Sequence, residues 1–211
     1  MSETKIYLDP KEVALHIEST PPGYLFNITF WVENVTDLAA WQVTMYFNDS
    51  IINATRWFEP TWDNQYVFYG KTTIAGPTDS PHPSGGYYIT SYSHADPFVG
   101  RISVSSNVGV FPQPSQTFNG TGKLAIVEFN VTLLPKEGEI FSCTFQINNS
   151  LTYLLNSIGK EIQSTKDDGY YTIPEFPLFT LLMFTFFSIL VICREKAFEK
   201  NSCQEKCCHF L

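Results

Sequence analysis

The sequence predicts an all-β sandwich followed by a single C-terminal transmembrane helix. Three observations carry this. Apolar and polar residues alternate with period two through most of the chain, and no long helical period occurs before Pro174. An uncharged run, Leu178–Cys193, then leads into Arg194-Glu195-Lys196.

Four segments define the strands. In Leu25–Glu33, Phe26, Ile28, Phe30 and Val32 share one face. In Ala40–Phe47, Trp41, Val43, Met45 and Phe47 alternate with Gln42, Thr44 and Tyr46. In Lys123–Leu133, Ala125, Val127, Phe129, Val131 and Leu133 alternate with Glu128, Asn130 and Thr132. In Ile140–Ile147, Phe141, Cys143, Phe145 and Ile147 alternate with Ser142, Thr144 and Gln146. Turn-forming clusters separate them: Pro21-Pro22-Gly23, Asn48-Asp49-Ser50, Asn119–Gly122, Lys136–Gly138 and Asp167-Asp168-Gly169. Many half-buried strands with such punctuation make two packed sheets. The phase puts Asn27 and Asn130 outward and Cys143 inward, where a thiol packs as a small apolar group. Thr72–Pro97, rich in Pro and Gly, reads as a long loop around one short strand at Tyr87–Tyr92. Gly169-Tyr170-Tyr171-Thr172 reads as the closing strand.

The sixteen positions of Leu178–Cys193 reach about 24 Å in a helix, a little short of a ~30 Å hydrocarbon core. Phe176 and Pro177 extend the run. A buried core helix needs a polar face, and only Thr180, Thr185 and Ser188 interrupt this one. The basic flank orients the anchor with its C-terminal side in the cytoplasm. The expected organisation is an extracellular sandwich over 5–173, an anchor with its flanks over 174–196, and a short cytoplasmic tail over 197–211. So few residues separate sandwich and anchor that the sandwich is expected to lie against the membrane.

Thirteen Lys and Arg against twenty-one Asp and Glu give the 211-residue chain a net charge of −8. An acidic chain without a basic stripe argues against nucleic acid. Cys143 is alone in the main domain, so no internal disulfide staples it. Seven N-x-S/T sequons begin at Asn27, Asn34, Asn48, Asn53, Asn119, Asn130 and Asn148, all before the anchor. Random placement would give about two, so glycosylation of an outward-facing domain is expected. Met1–Lys5 has no apolar stretch of the signal-peptide kind, and a leader upstream of Met1 is expected.

The layout resembles the cohesin module. The matching pieces are Lys5–Pro10, Phe26–Val35, Leu38–Phe47 with the Asn48–Ile52 turn, Gly122–Val131 and Asp168–Ile173. The resemblance implies a nine-stranded jelly-roll sandwich, related to carbohydrate-binding modules, that binds a dockerin-like protein through a surface rather than a fixed motif. Pro174-Glu175-Phe176-Pro177 before the apolar run resembles an archaeal PEF-type sorting signal, which implies an archaeal cell-surface protein.

The residues offer little for catalysis. Nucleophile-elbow, His-Glu-x-x-His and phosphate-loop motifs are missing, and the strands hold few carboxylates. His82 and His94, with Asp79 and Asp96, have no compact ligand spacing and read as a solvated loop. Asp167-Asp168-Gly169 offers oxygens to Ca²⁺ but also suits the turn into the last strand, which is the expected role. Cys203, Cys207, Cys208 and His209 supply four donors for Zn²⁺. Adjacent Cys207 and Cys208 chelate poorly, and an unstructured tail is expected. No resident metal is therefore expected. Trp31 in an outward phase, and Trp57, Trp62, Tyr66, Phe68 and Tyr69 after the Asn48 turn, are candidates to stack on a polysaccharide or to form a protein interface. Their alternative role is to seal the sandwich edge. Three functions follow: a membrane-anchored module for a dockerin-like protein, a carbohydrate binder, or a structural envelope glycoprotein.

Overall fold

A computed structural model describes residues 3–15, 20–75, 85–88, 100–108, 116–136 and 139–173. The four histidines, the Pro174–Pro177 motif, the apolar run and the cysteine-bearing tail lie outside the described residues. Among the described residues no helix is long and apolar enough to cross a membrane.

The described chain is all strand and turn. One layer contains β1 (Lys5–Asp9), the first half of β3 (Leu25–Phe47), β8 (Phe118–Val131), β4 (Ile52–Phe58) and β6 (Tyr87–Tyr88), with β12 (Thr165–Asp167) parallel to β1 at the edge. The other contains β2 (Glu12–Ala14), β13 (Gly169–Ile173), β9 (Phe141–Ile147), the second half of β3, β7 (Gly100–Asn107) and β5 (Ile74–Ala75). β10 (Tyr153–Asn156) joins β3 and carries β11 (Glu161–Ile162).

The predicted strands Leu25–Glu33 and Ala40–Phe47 are one 23-residue element. It serves both layers because it turns a corner: Asn34 and Asp37 have φ of 55° and 60°, and the pairing with β8 slips on either side of Val35. Asn residues tolerate this left-handed region better than most, as does Asp. The corner is tied down by Asp37 N–H donating to Asn119 Oδ1 at 2.8 Å and by Ser157 Oγ donating to Asp37 Oδ2 at 2.6 Å.

The inner faces follow the predicted phase. Ile28, Phe30, Val32, Val43, Met45, Val127, Phe129, Phe145 and Ile147 are buried in one core. Aromatic rings lock the layers together. Phe129 meets Phe47 edge-on at 5.2 Å and Phe145 at 5.3 Å, and Phe26 stacks on Tyr171 at 5.4 Å. Cys143 is buried among them, and burial pushes its thiol pKa up. Two expectations fail at strand ends and backs. β8 ends at Val131, so Leu133 is 49% exposed rather than inward. Thr44, in the outward phase, is buried because the Leu151–Thr152 segment covers it. Its hydroxyl reaches Leu151 O at 3.1 Å and Ser103 Oγ at 2.9 Å.

Asp167 ends β12 and Gly169 begins β13, so where a turn is expected Asp168 alone links two strands. Lys11 and Lys5 approach Asp167 at 2.8 and 2.9 Å, and Asp168 Oδ1 accepts from Ile147 N–H at 2.8 Å. Hydrogen bonds from Lys11 and then Lys5 hold the Asp167 carboxyl below the usual carboxylate range. A depressed folded pKa stabilises the fold above the unfolded value and stops doing so as pH falls through the folded one. Urea titrations below about pH 4 should therefore show wild-type stability falling more steeply than that of Asp167→Asn. The difference should stay under about 1 kcal/mol, because solvent screens these lysines. Identical slopes would mean that the contacts contribute nothing.

Candidate functional site

The two outer faces differ in chemistry. On the β1–β3–β8–β4 face, Tyr7 pairs with Trp31, and Trp31 with Lys123. The Tyr7 and Trp31 rings are parallel at 6.2 Å, and Lys123 Nζ stands 5.3 Å from the indole centroid. Lys123 also pairs with Asp63, whose carboxyl is held low by Lys123 and the Gln65 N–H. Burial, then Glu33, pushes the Tyr7 phenol up. Two rows along, Arg56 grips Glu128 through two bonds of 2.9 and 2.8 Å, and the Thr55 hydroxyl donates to the same carboxylate at 2.7 Å. The Arg56 guanidinium lies 4.9 Å from the Phe58 ring centroid, and Phe58 meets Trp62 edge-on. Lys123, Asp63, Arg56 and Glu128 on this face are thus neutralised by each other, and Trp31 is half-buried between its neighbours.

The structure divides the predicted aromatic group. Trp57 and Tyr66 are core residues, so neither ring is available to a sugar. Trp57 stacks on Tyr87 at 4.9 Å. Tyr66 donates to the buried Glu59 carboxylate at 2.8 Å, as does Thr73 at 3.0 Å, and burial followed by the Glu59 charge drives the Tyr66 phenol far up. Phe68 is buried too. Backbone bonds from Val67 N–H to Lys123 O and from Lys123 N–H to Gln65 O extend the layer beyond β4, so this aromatic segment is sheet edge rather than a free loop. Trp62 is exposed at 67%, with Tyr69 also exposed.

A register change explains Trp57. Ile52 and Ala54 point inward, so strict alternation would put Arg56 inward and Trp57 outward. A bulge between Ala54 and Arg56 reverses the phase, turning Arg56 toward Glu128 and Trp57 into the core. An arginine at an inward position was the one sequence signal that the alternation had to break.

The opposite face, on β13–β9–β3–β7, was not singled out by sequence. Its outward residues include Ser142, Thr144 and Gln146 on β9, Tyr46 on β3, Ser103 and Ser105 on β7, and Tyr170 on β13. Among the described outward positions of β13, β9, β7 and the second half of β3, Arg101 is the one charge, and Glu12 on β2 stands beside Tyr170 at the edge. Tyr46 is the hinge of the face, opposite Gln146 on one side and Arg101 on the other. Where β9 and β3 meet, a shallow depression of about 320 Å³ opens between Tyr46, Asn48, Ser142, Thr144 and Gln146. Such a surface presents hydroxyls, amides and tyrosine rings at little desolvation cost compared with ions. Among the described residues no three His, Cys, Asp or Glu side chains gather as a metal site.

Solved structures share this architecture. A non-cellulosomal cohesin from the archaeon Archaeoglobus fulgidus superposes with a TM-score of 0.51 at 13% identity, over 82% of this chain and 93% of that one. The OlpC type I cohesin–dockerin complex from Clostridium thermocellum gives a TM-score of 0.55 at 9% identity, over 83% and 96%. The OlpA complex from the same organism gives 0.51 at 11%, over 82% and 100%. The sandwich has a cohesin-like fold. At such identities the common property is the fold alone. No family model matches the sequence, and no curated protein matches it.

Proposed function

We propose that the chain is a non-catalytic recognition module that binds a protein partner of the dockerin kind through its β13–β9–β3–β7 face. The observation that carries this reading is the contrast between the faces. One face spends its main charges and most of its aromatic surface on internal contacts, while the other is broad, polar and almost uncharged. Interface centres are depleted of charge and enriched in tyrosine. The cohesin-like fold supports the same reading, since the OlpC and OlpA structures are complexes with dockerins. The module works at an outer cell surface, held by the apolar run 178–193 with residues 197–211 in the cytoplasm. The sequons, the Pro174–Pro177 motif and the basic flank support that placement.

Calorimetric titration with dockerin modules from the same cells tests the proposal. Thr144→Arg with Gln146→Arg puts two ions on the exposed side of β9 without touching the core. This pair should weaken binding at least about tenfold, roughly 1.4 kcal/mol, while Lys123→Ala on the opposite face leaves it unchanged. No binding by wild type, or equal binding by the double variant, would sink the assignment. A second reading, carbohydrate binding, now rests mainly on the exposed Trp62. It is favoured only if Trp62→Ala abolishes a sugar affinity that the wild type shows.

A further inference from the structure

The sheet register gathers sequons that lie far apart in sequence. Asn53 on β4 is the direct partner of Asn130 on β8, and Asn130 is in turn opposite Leu25 on β3. Asn27 is opposite Glu128, one row further along the same face. Asn27 and Asn53 therefore stand two strands and two residues apart, about 12 Å from strand spacing and rise. All three asparagines are in the outward phase of the β1–β3–β8–β4 layer.

Chance would not place them so. Sequons arise by accident where Asn, Ser and Thr are dense, and the opposite face is the richer in hydroxyls, with Ser103, Ser105, Ser142, Thr144 and Thr172. Yet no sequon asparagine occupies the outward positions of β13, β9, β7 or the second half of β3. Asn34 and Asn119 lie at the corner of β3 and the start of β8, while Asn48 and Asn148 lie in turns after strands, where their Oδ1 atoms accept from the Ser50 and Ser150 N–H groups.

The three clustered sites differ among themselves. Asn27 and Asn53 are exposed, and Leu25, 51% exposed, offers apolar surface beside Asn27. Asn130 is half-buried, and its Oδ1 is shut from solvent without a hydrogen-bond partner. As a whole residue Asn130 is thus less accessible than its exposed partner Asn53. Directly paired side chains also have Cβ atoms only about 5 Å apart, too close for two glycans.

We propose that N-linked glycans at Asn27 and Asn53 cover the β1–β3–β8–β4 face, and that Asn130 between them stays unmodified. In each transfer the Asn Nδ2 bonds to the anomeric carbon of an oligosaccharide carried on a lipid phosphate. The bond from that carbon to the phosphate oxygen breaks, the lipid phosphate leaves with the electron pair, and a base takes the amide proton. The result is a coat on the β1–β3–β8–β4 face that does not depend on Asn48, the sequon asparagine beside the depression of the opposite face. It requires an exported domain but no particular partner, so it and the recognition proposal can fail separately.

Glycopeptide mass spectrometry on the protein purified from the cells that make it decides the matter. The Asn27 and Asn53 peptides should each carry one oligosaccharide mass, and the Asn130 peptide none. Asn27→Gln and Asn53→Gln should each lower the intact mass by one glycan, and Asn130→Gln by none. An unmodified Asn27 or Asn53, or a glycan on Asn130, overturns the proposal.

Discussion

Phe129→Ala should remove about 3–5 kcal/mol of stability, the cost of truncating a buried aromatic side chain without collapse of the cavity. The ring is fully buried on β8 and touches three other rings, Phe26 at 5.6 Å in its own layer and Phe47 and Phe145 across the core. Its loss therefore unlocks both layers at once. Collapse is hindered because Phe47 is itself held in place: a Cβ on Gly100 would stand 2.5 Å from its ring, so the neighbouring strand already fills that side. With a typical domain stability of about 5–15 kcal/mol, the urea midpoint should drop by about a fifth or more, and Phe129→Leu should recover part of it. A stability loss below about 1 kcal/mol, well under that of a buried aromatic, would show that the two layers are not coupled through this ring.

Trp57→Ala should cost a similar amount, about 3–5 kcal/mol, and the loss should appear in stability rather than in ligand affinity. Trp57 is fully buried and stacked on Tyr87, whose phenol is raised by burial and then by the Glu59 carboxylate that Tyr66 and Thr73 satisfy. Removing the indole loosens the packing around a buried charge, whose hydrogen bonds depend on a dry and ordered site. Thermal unfolding and partner titration on the same preparation separate the two roles. A variant that melts normally but loses binding would return Trp57 to the surface and contradict the burial.

These two residues show how far the sequence could be read. Phe129 obeys simple alternation, and its inward phase was legible because every neighbour on β8 from Ala125 to Val131 keeps the same period. Trp57 was not, because one bulge reversed the phase two residues before it, at Thr55. Local alternation carries no record of a bulge beyond a misplaced charge such as Arg56. Thr44 was misread for a different reason: what covers an outward position comes from 107 residues away, at Leu151. The long β3 was split in two because its corner at Asn34–Asp37 looks like any polar turn.

The sequence by itself determined the all-β class, the inward phase of four long segments, the acid-rich composition and the order of strands and turns that resembles a cohesin. Each of these depends on neighbouring residues and on the period-two geometry of an extended chain. Tertiary structure alone decided which aromatic residues are core, which face keeps its charges paired, and which sequons share a surface. Those properties depend on register between strands far apart in the chain. A shift of one residue in register exchanges the faces of a strand, and no local pattern can encode it.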